Sequence, residues 1–125
     1  MVRRPTGSTR LPEAPLFRSV LIDGKAEFSC STPVAAFENR AITTIEGIGT
    51  QDRLHVLQRA FVTERAAQCG YCIPGMIVAA KALLDSDPDP GEAAVREALN
   101  GNLCRCGTHA RILKAVMRAA KEMLQ

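Results

Sequence analysis

The chain has 125 residues, 46% of them hydrophobic but only 4% aromatic and none of them Trp, so it is long enough for one modest domain, or a domain with an appendage, around an aliphatic core. Its net charge of +3 comes with no basic tract interleaved with aromatics, which argues against nucleic acid, and no apolar run reaches the roughly 18 residues of a membrane span. The start, Met1-Val-Arg-Arg-Pro, has no apolar stretch behind it and does not read as an export signal. Folding in the cytoplasm is therefore expected, with co-export alongside a partner left open. In a reducing compartment five cysteines point to metal or redox chemistry rather than to disulfides.

Residues 1–15 carry Arg, Pro, Thr, Ser and Gly with almost no apolar pattern and read as a disordered leader. Within residues 16–49, Ser19-Val-Leu-Ile22 and Lys25-Ala-Glu-Phe-Ser29 flank Asp23-Gly24. That is a hairpin signal, because Gly tolerates the positive φ of a tight turn. Ile42-Thr-Thr-Ile45, closed by Gly47 and Gly49, is a third short strand. So small a sheet cannot stand alone in water. It must pack on the rest of the chain or on a partner, and its exposed inner face and unpaired edges favour a partner.

Residues 50–125 take a helical period. A first helix from Thr50 puts Leu54, Leu57, Ala60 and Phe61 on one face and ends before Cys69. Pro74 then occupies a first-turn position, where its missing N–H costs nothing. Ile73, Ile77, Ala80, Leu83 and Leu84 make the apolar stripe behind it. Residues 85–91, with Pro88 and Pro90, break the chain. A third helix carries Val95, Ala98 and Leu99 and stops at Asn100-Gly101-Asn102, suited to a left-handed C-cap. Thr108 can cap a fourth helix through Ile112, Val116, Ala119, Ala120 and Met123. The fold class expected is mainly α: a four-helix bundle with a cysteine segment at the turn of each helix pair.

Those segments are Cys69-Gly-Tyr-Cys72-Ile-Pro-Gly-Met76 and Asn100-Gly-Asn-Leu-Cys104-Arg-Cys106-Gly107. They hold four of the five cysteines, as C-x2-C and C-x-C, with 31 residues between Cys72 and Cys104. Four thiolates on one centre stay deprotonated only beside positive charge, so a metal is implied. Structural zinc sites mostly use C-x2-C twice. Cysteines alternating as C-x-C suit one iron of a cluster better than a zinc tetrahedron, which favours iron–sulfur over zinc. A thiol–disulfide role for Cys69 and Cys72 is the third reading, disfavoured by the lack of a thioredoxin-like βαβ pattern. Helix N-termini at Cys72 and after Cys106 help to offset the thiolate charge.

Gln68-Cys-Gly-Tyr-Cys-Ile-Pro-Gly-Met76 followed by Gly101-Asn-Leu-Cys-Arg-Cys-Gly107 resembles the small iron–sulfur subunit of the molybdenum hydroxylases, the xanthine oxidase family. Cys106-Gly-Thr-His-Ala-Arg-Ile112, in place of the commoner Thr-Gly-Tyr, is similar to the isoquinoline and nicotinate dehydrogenase branch. Thr43-Thr-Ile-Glu-Gly47 and His55-Val-Leu-Gln58 also match, with Val56 where the family usually has Pro, and the likeness runs from about Ser19 to Val116. It implies one 2Fe–2S cluster held by Cys69, Cys72, Cys104 and Cys106. Gln68 and Cys106 would face a molybdopterin held by a large partner subunit. Residues 50–125 become the cluster-binding bundle, and 16–49 the remnant hairpin of a β-grasp ferredoxin-like domain.

The family's first domain carries a second cluster on a C-x4-C-x2-C run and one later cysteine. Cys30 fits the later place, but the three earlier places fall on Arg10, Pro15 and Arg18, which cannot ligate iron. One cluster is therefore expected where the family has two, and Cys30 is read as a buried small apolar residue rather than a surviving ligand. His55 and His109 read as helix-end residues, Met76 and Met117 as core filler, and Lys114, Arg118 and Lys121 as a solvated helix face. The function expected is an electron-transfer subunit, not catalytic alone. It would serve a molybdopterin-dependent hydroxylase of N-heterocycles or aldehydes and pass electrons toward a flavin or cytochrome subunit. The alternatives are a zinc-stapled interaction module and a truncated nonfunctional paralogue.

Overall fold

The computed structural model describes residues 19–125, which open on the hairpin expected at Asp23-Gly24. The leader and the places of Arg10, Pro15 and Arg18 lie outside the described residues. Strands β1 (Ser19–Ile22) and β2 (Lys25–Phe28) are antiparallel, with Val20 opposite Glu27 and Leu21 opposite Ala26. The turn holds Asp23 at φ +49° and Gly24 at φ +82°, the left-handed pair that matches the twist of a two-residue hairpin. Asp23 also fixes the third strand. Its N–H donates to the Ala41 carbonyl at 2.9 Å, while its carboxylate accepts from Ala41 N at 3.0 Å and Arg40 Nε at 2.8 Å. The Arg40 hydrogen bond holds that carboxyl below its ordinary range. Strand β3 (Ile42–Thr43) consequently lies on the other side of β1, giving the antiparallel order β2-β1-β3.

β3 is shorter than expected, because Ile45–Ile48 is not strand but a one-turn helix, α1. In a strand, residues three apart face opposite sides; in a helix they share one. The helical choice brings both Ile45 and Ile48 onto the main core. Every residue of β1 is buried, Ile22 completely at 0% exposure, and β1 and β2 pack on helix α3 (Ile73–Ser86). The expectation of an exposed sheet face seeking a partner is corrected: this chain's own helix covers it.

Helix α2 (Val56–Thr63) starts later than the expected Thr50, since Thr50 and Arg53 close a turn by exchanging backbone hydrogen bonds of 3.2 and 3.1 Å. His55 supplies the cap. Its Nδ1 accepts from Leu57 N–H at 3.2 Å, and Gln58 Oε1 accepts from His55 N–H at 2.8 Å. Val56 is the first helical residue, the position at which Pro is favoured. At the other end Arg65 adopts φ +50°, with Ala66 N–H donating to Phe61 O at 2.9 Å and Arg65 N–H to Val62 O at 3.1 Å. These are the two bonds of a Schellman motif, here closed by Arg instead of Gly.

α3 runs past the expected break at Asp85, so the interruption is residues 87–91, ahead of α4 (Glu92–Leu99). The left-handed C-cap expected after α4 is absent among the described residues: Asn100 is right-handed, and neither Gly101 nor Asn102 has positive φ. Gly101 serves a close approach instead, since a Cβ there would lie 3.3 Å from the Phe28 ring. Helix α5 (His109–Met123) follows the second cysteine segment.

The core is aliphatic, as composition demands, with Phe61 its one aromatic among the buried residues. Leu57, Ala60 and Phe61 of α2 meet a small-residue face of α5 made by Ile112, Ala115, Val116, Ala119 and Ala120. Met76, Ile77, Ala80 and Leu84 of α3 and Val95 of α4 complete it. Each large side chain so buried contributes about 1.5–3 kcal/mol. Outside, Arg118 of α5 joins Glu64 at 2.9 Å and Glu122 at 3.1 Å, an exposed network that solvent screens and that contributes little.

Two predictions test these helix ends. Arg65→Gly removes a side chain from a left-handed position and is expected to raise stability to urea by about 1 kcal/mol. A loss would mean that the arginine contributes more than its backbone conformation costs. Burial, then Lys81, holds the His55 pKa below its ordinary 6.5, with Asp85 opposing and Arg59 adding. Below that value the unfolded chain takes up the proton before the folded one does, so stability falls as pH drops through the window beneath 6.5. His55→Ala should cost about 1 kcal/mol at neutral pH and visibly less at pH 5.5. An equal cost at both would show that the imidazole does not cap.

Candidate metal centre

The two cysteine segments leave α2 and α4 and enter α3 and α5, so packing the four helices brings them to one end of the bundle. In the first, Gly70 at φ +84° swings the chain back, and the Tyr71 N–H meets the Cys69 sulfur. Cys72 stands at the N-cap of α3, with Pro74 in its first turn as expected. In the second, the Gly107 N–H reaches the Cys104 carbonyl at 3.3 Å, and Gly107 at φ +75° leads into Thr108.

The sulfurs meet across the segments. Cys69 lies close enough to Cys106, and Cys72 to Cys104, for each thiol to shift its partner's pKa. The sequence suggests Cys104 and Cys106 as natural neighbours on one metal. Instead their alternation sends Cys104 to Cys72 and Cys106 to Cys69. Among the described residues no three His, Cys, Asp or Glu side chains gather as around a single metal ion; the thiols group by twos. Cys72 and Cys104 are half-buried and pack on the aliphatic core, whereas Cys69 is exposed. Flanking Cys69 in the chain stand the exposed Gln68 and, past Gly70, Tyr71 at 62% exposure; Leu103, next to Cys104, is 86% exposed.

Each pair divides its protons unequally. Burial, helped by Cys104, pushes the Cys72 thiol up to about 11. The Thr108 hydroxyl, then the Thr108 N–H, brings Cys104 down to about 7 against its own burial. In the outer pair the Tyr71 N–H, then Cys106, lowers Cys69. Cys106 is raised although the Cys69 N–H pulls it down, because the Cys69 thiol, burial and neighbouring thiols together outweigh that bond. Four soft donors with N–H and O–H groups aimed at sulfur suit a positively charged, thiolate-held centre.

Sequence reasoning missed two contacts to Cys104. The Thr108 oxygen lies 3.3 Å from its Sγ, and its N–H donates to His109 Nε2 at 3.4 Å. Thr108 occupies the N-cap position of α5 but makes no side-chain capping bond, so the expected cap is corrected: its hydroxyl is turned to sulfur. The signal available was spacing, since residues four and five past Cys104 can fold back across a glycine. Cys30 is exposed, not buried, in a 3-10 turn over Ser29–Ser31. There Ser31 and Thr32 hydroxyls bond the Phe28 carbonyl and keep the turn polar.

Gly75 seats the second segment. A Cβ there would lie 2.5 Å from Asn102 Oδ1 and 3.1 Å from Ser19 Oγ. Gly75→Ala should therefore displace Asn102, cost about 1–3 kcal/mol of stability, and speed labelling of Cys104 by a thiol reagent. Unchanged labelling would show that the segment does not lean on this contact.

Comparison with known proteins gives four concordant findings. Residues 44–117 match the family model described as the 2Fe-2S binding domain. The chain is 54% identical over 103 residues to a nicotinate dehydrogenase subunit of Pseudomonas putida, covering 82% of this chain and 66% of that protein. It is 50% identical over 104 residues to the alpha subunit of isoquinoline 1-oxidoreductase of Brevundimonas diminuta, covering 83% and 68%. The chain thus spans about two thirds of the length of these relatives. Among solved structures, the aldehyde oxidoreductase from Desulfovibrio gigas superposes with a TM-score of 0.82 at 43% identity, over 85% of this chain and 12% of that one.

Proposed function

The chain belongs to the 2Fe-2S binding domain family, and on that premise we propose that it is the small electron-transfer subunit of a molybdopterin-dependent hydroxylase. The observation that carries this reading is the meeting of four thiols as two cross-segment pairs at one end of the bundle. A two-iron cluster needs two thiolates for each iron, so the donor set fits it by number, chemistry and grouping. Cys69 and Cys106 would hold one iron, Cys72 and Cys104 the other. When bound, the cluster supplies a one-electron acceptor and donor.

This chain's residues do the rest. The core packed under Cys72 and Cys104 keeps water from the inner side. N–H groups of Tyr71, Cys69, Cys106 and Thr108 face the sulfurs and offset their charge. Gln68 and Cys106, with the exposed Tyr71, would face a large molybdopterin-binding subunit. A flavin or cytochrome subunit would take the electrons onward, and the substrate would be an N-heterocycle or an aldehyde, as the relatives' names suggest. Residues 50–125 would be the cluster-binding unit and 16–49 a ferredoxin-like segment, the whole folding in the cytoplasm. Among the described residues no helix is long and apolar enough to cross a membrane.

Anaerobic reconstitution followed by iron and acid-labile sulfide analysis tests the reading. Two irons and two sulfides per chain are expected. Stoichiometric zinc without sulfide would make the chain a zinc-stapled module, and four irons would mean that a second cluster forms.

A further inference from the structure

Thr108 presents an arrangement that helix formation does not explain. A Thr at an N-cap ordinarily turns its oxygen to an N–H of the first helical turn. Here that bond is missing, and the side chain is buried at 9% exposure with its oxygen 3.3 Å from Cys104 Sγ. A cysteine that binds metal is a thiolate and can only accept, so in the loaded protein the hydroxyl must be the donor. The backbone of Thr108 aims at the same sulfur, which concentrates two donors of one residue on one ligand atom.

Taking the cluster reading above as given, we infer that Thr108 tunes the reduction potential of the centre by donating its hydroxyl hydrogen to Cys104 Sγ. Reduction adds negative charge that spreads onto the ligand sulfurs. A donor held against one of them stabilises the reduced form more than the oxidised form and so raises the potential. Because the hydroxyl makes no cap, removing it leaves the α5 N-terminus with the same backbone bonds. Thr108 is a positioning residue: it acts through Cys104.

The test is a redox titration of the reconstituted full chain, followed by the electron paramagnetic resonance of the reduced cluster. Thr108→Val keeps the branched shape and loses the hydroxyl; Thr108→Ala loses both; Thr108→Ser keeps the hydroxyl alone. At a fixed ambient potential, Val and Ala should each lower the ratio of reduced to oxidised cluster about tenfold, which is ~59 mV for a one-electron couple. Ser should stay within about twofold of the parent. Equal potentials for the parent and the two hydroxyl-free variants would overturn the inference, and so would a Ser shift as large as that of Val. If neither Val nor Ala retained a cluster while Ser did, the hydroxyl would be needed for assembly, and the tuning role would fall. Failure of the parent to form a two-iron cluster would instead sink the proposed function, which keeps the two failures apart.

Discussion

Four thiols pressed together at the end of an aliphatic bundle set an electrostatic problem that the surrounding structure answers. Thiolates set side by side repel one another, and a small domain has little stability to spare against such repulsion. Without metal, protons resolve it. One member of each pair, Cys104 and Cys69, is shifted toward the thiolate, and the other, Cys72 and Cys106, toward the thiol. With metal, positive charge replaces the shared protons. The same N–H groups and the starts of α3 and α5 can serve both conditions, because they address sulfur and not any particular counter-charge.

Much of this is legible in the residues. Period and breakers place the helices, since Leu57, Phe61, Ile77, Leu84, Ile112 and Val116 recur at helical spacing and all are buried. Asp23-Gly24 specifies its turn because few other pairs accept two left-handed residues. What escapes are features in which one residue does the work of another type. Arg65 stands where Gly is usual, so the end of α2 carries no compositional mark. Ile45 reads as strand because β-branching favours strands, yet the core recruits it through a spacing of three.

The centre is legible as a list of ligand candidates but not as an arrangement. Adjacency in sequence suggests Cys104 with Cys106, whereas tertiary packing sets Cys104 against Cys72. Thr108 has a good local explanation as a cap, and only the fold shows the sulfur that competes for its hydroxyl. Polar side chains choose between local and distant partners, and sequence records only the local one.

The unequal burial of the two pairs has a consequence for durability. Cys72 and Cys104 back onto the core, while Cys69 stands exposed. Peroxide or a chelator arriving from solvent therefore meets the outer sulfur first, and corrosion of the centre proceeds from Cys69 inward. Whatever covered that face would act as a seal, because the damage begins at one identifiable atom.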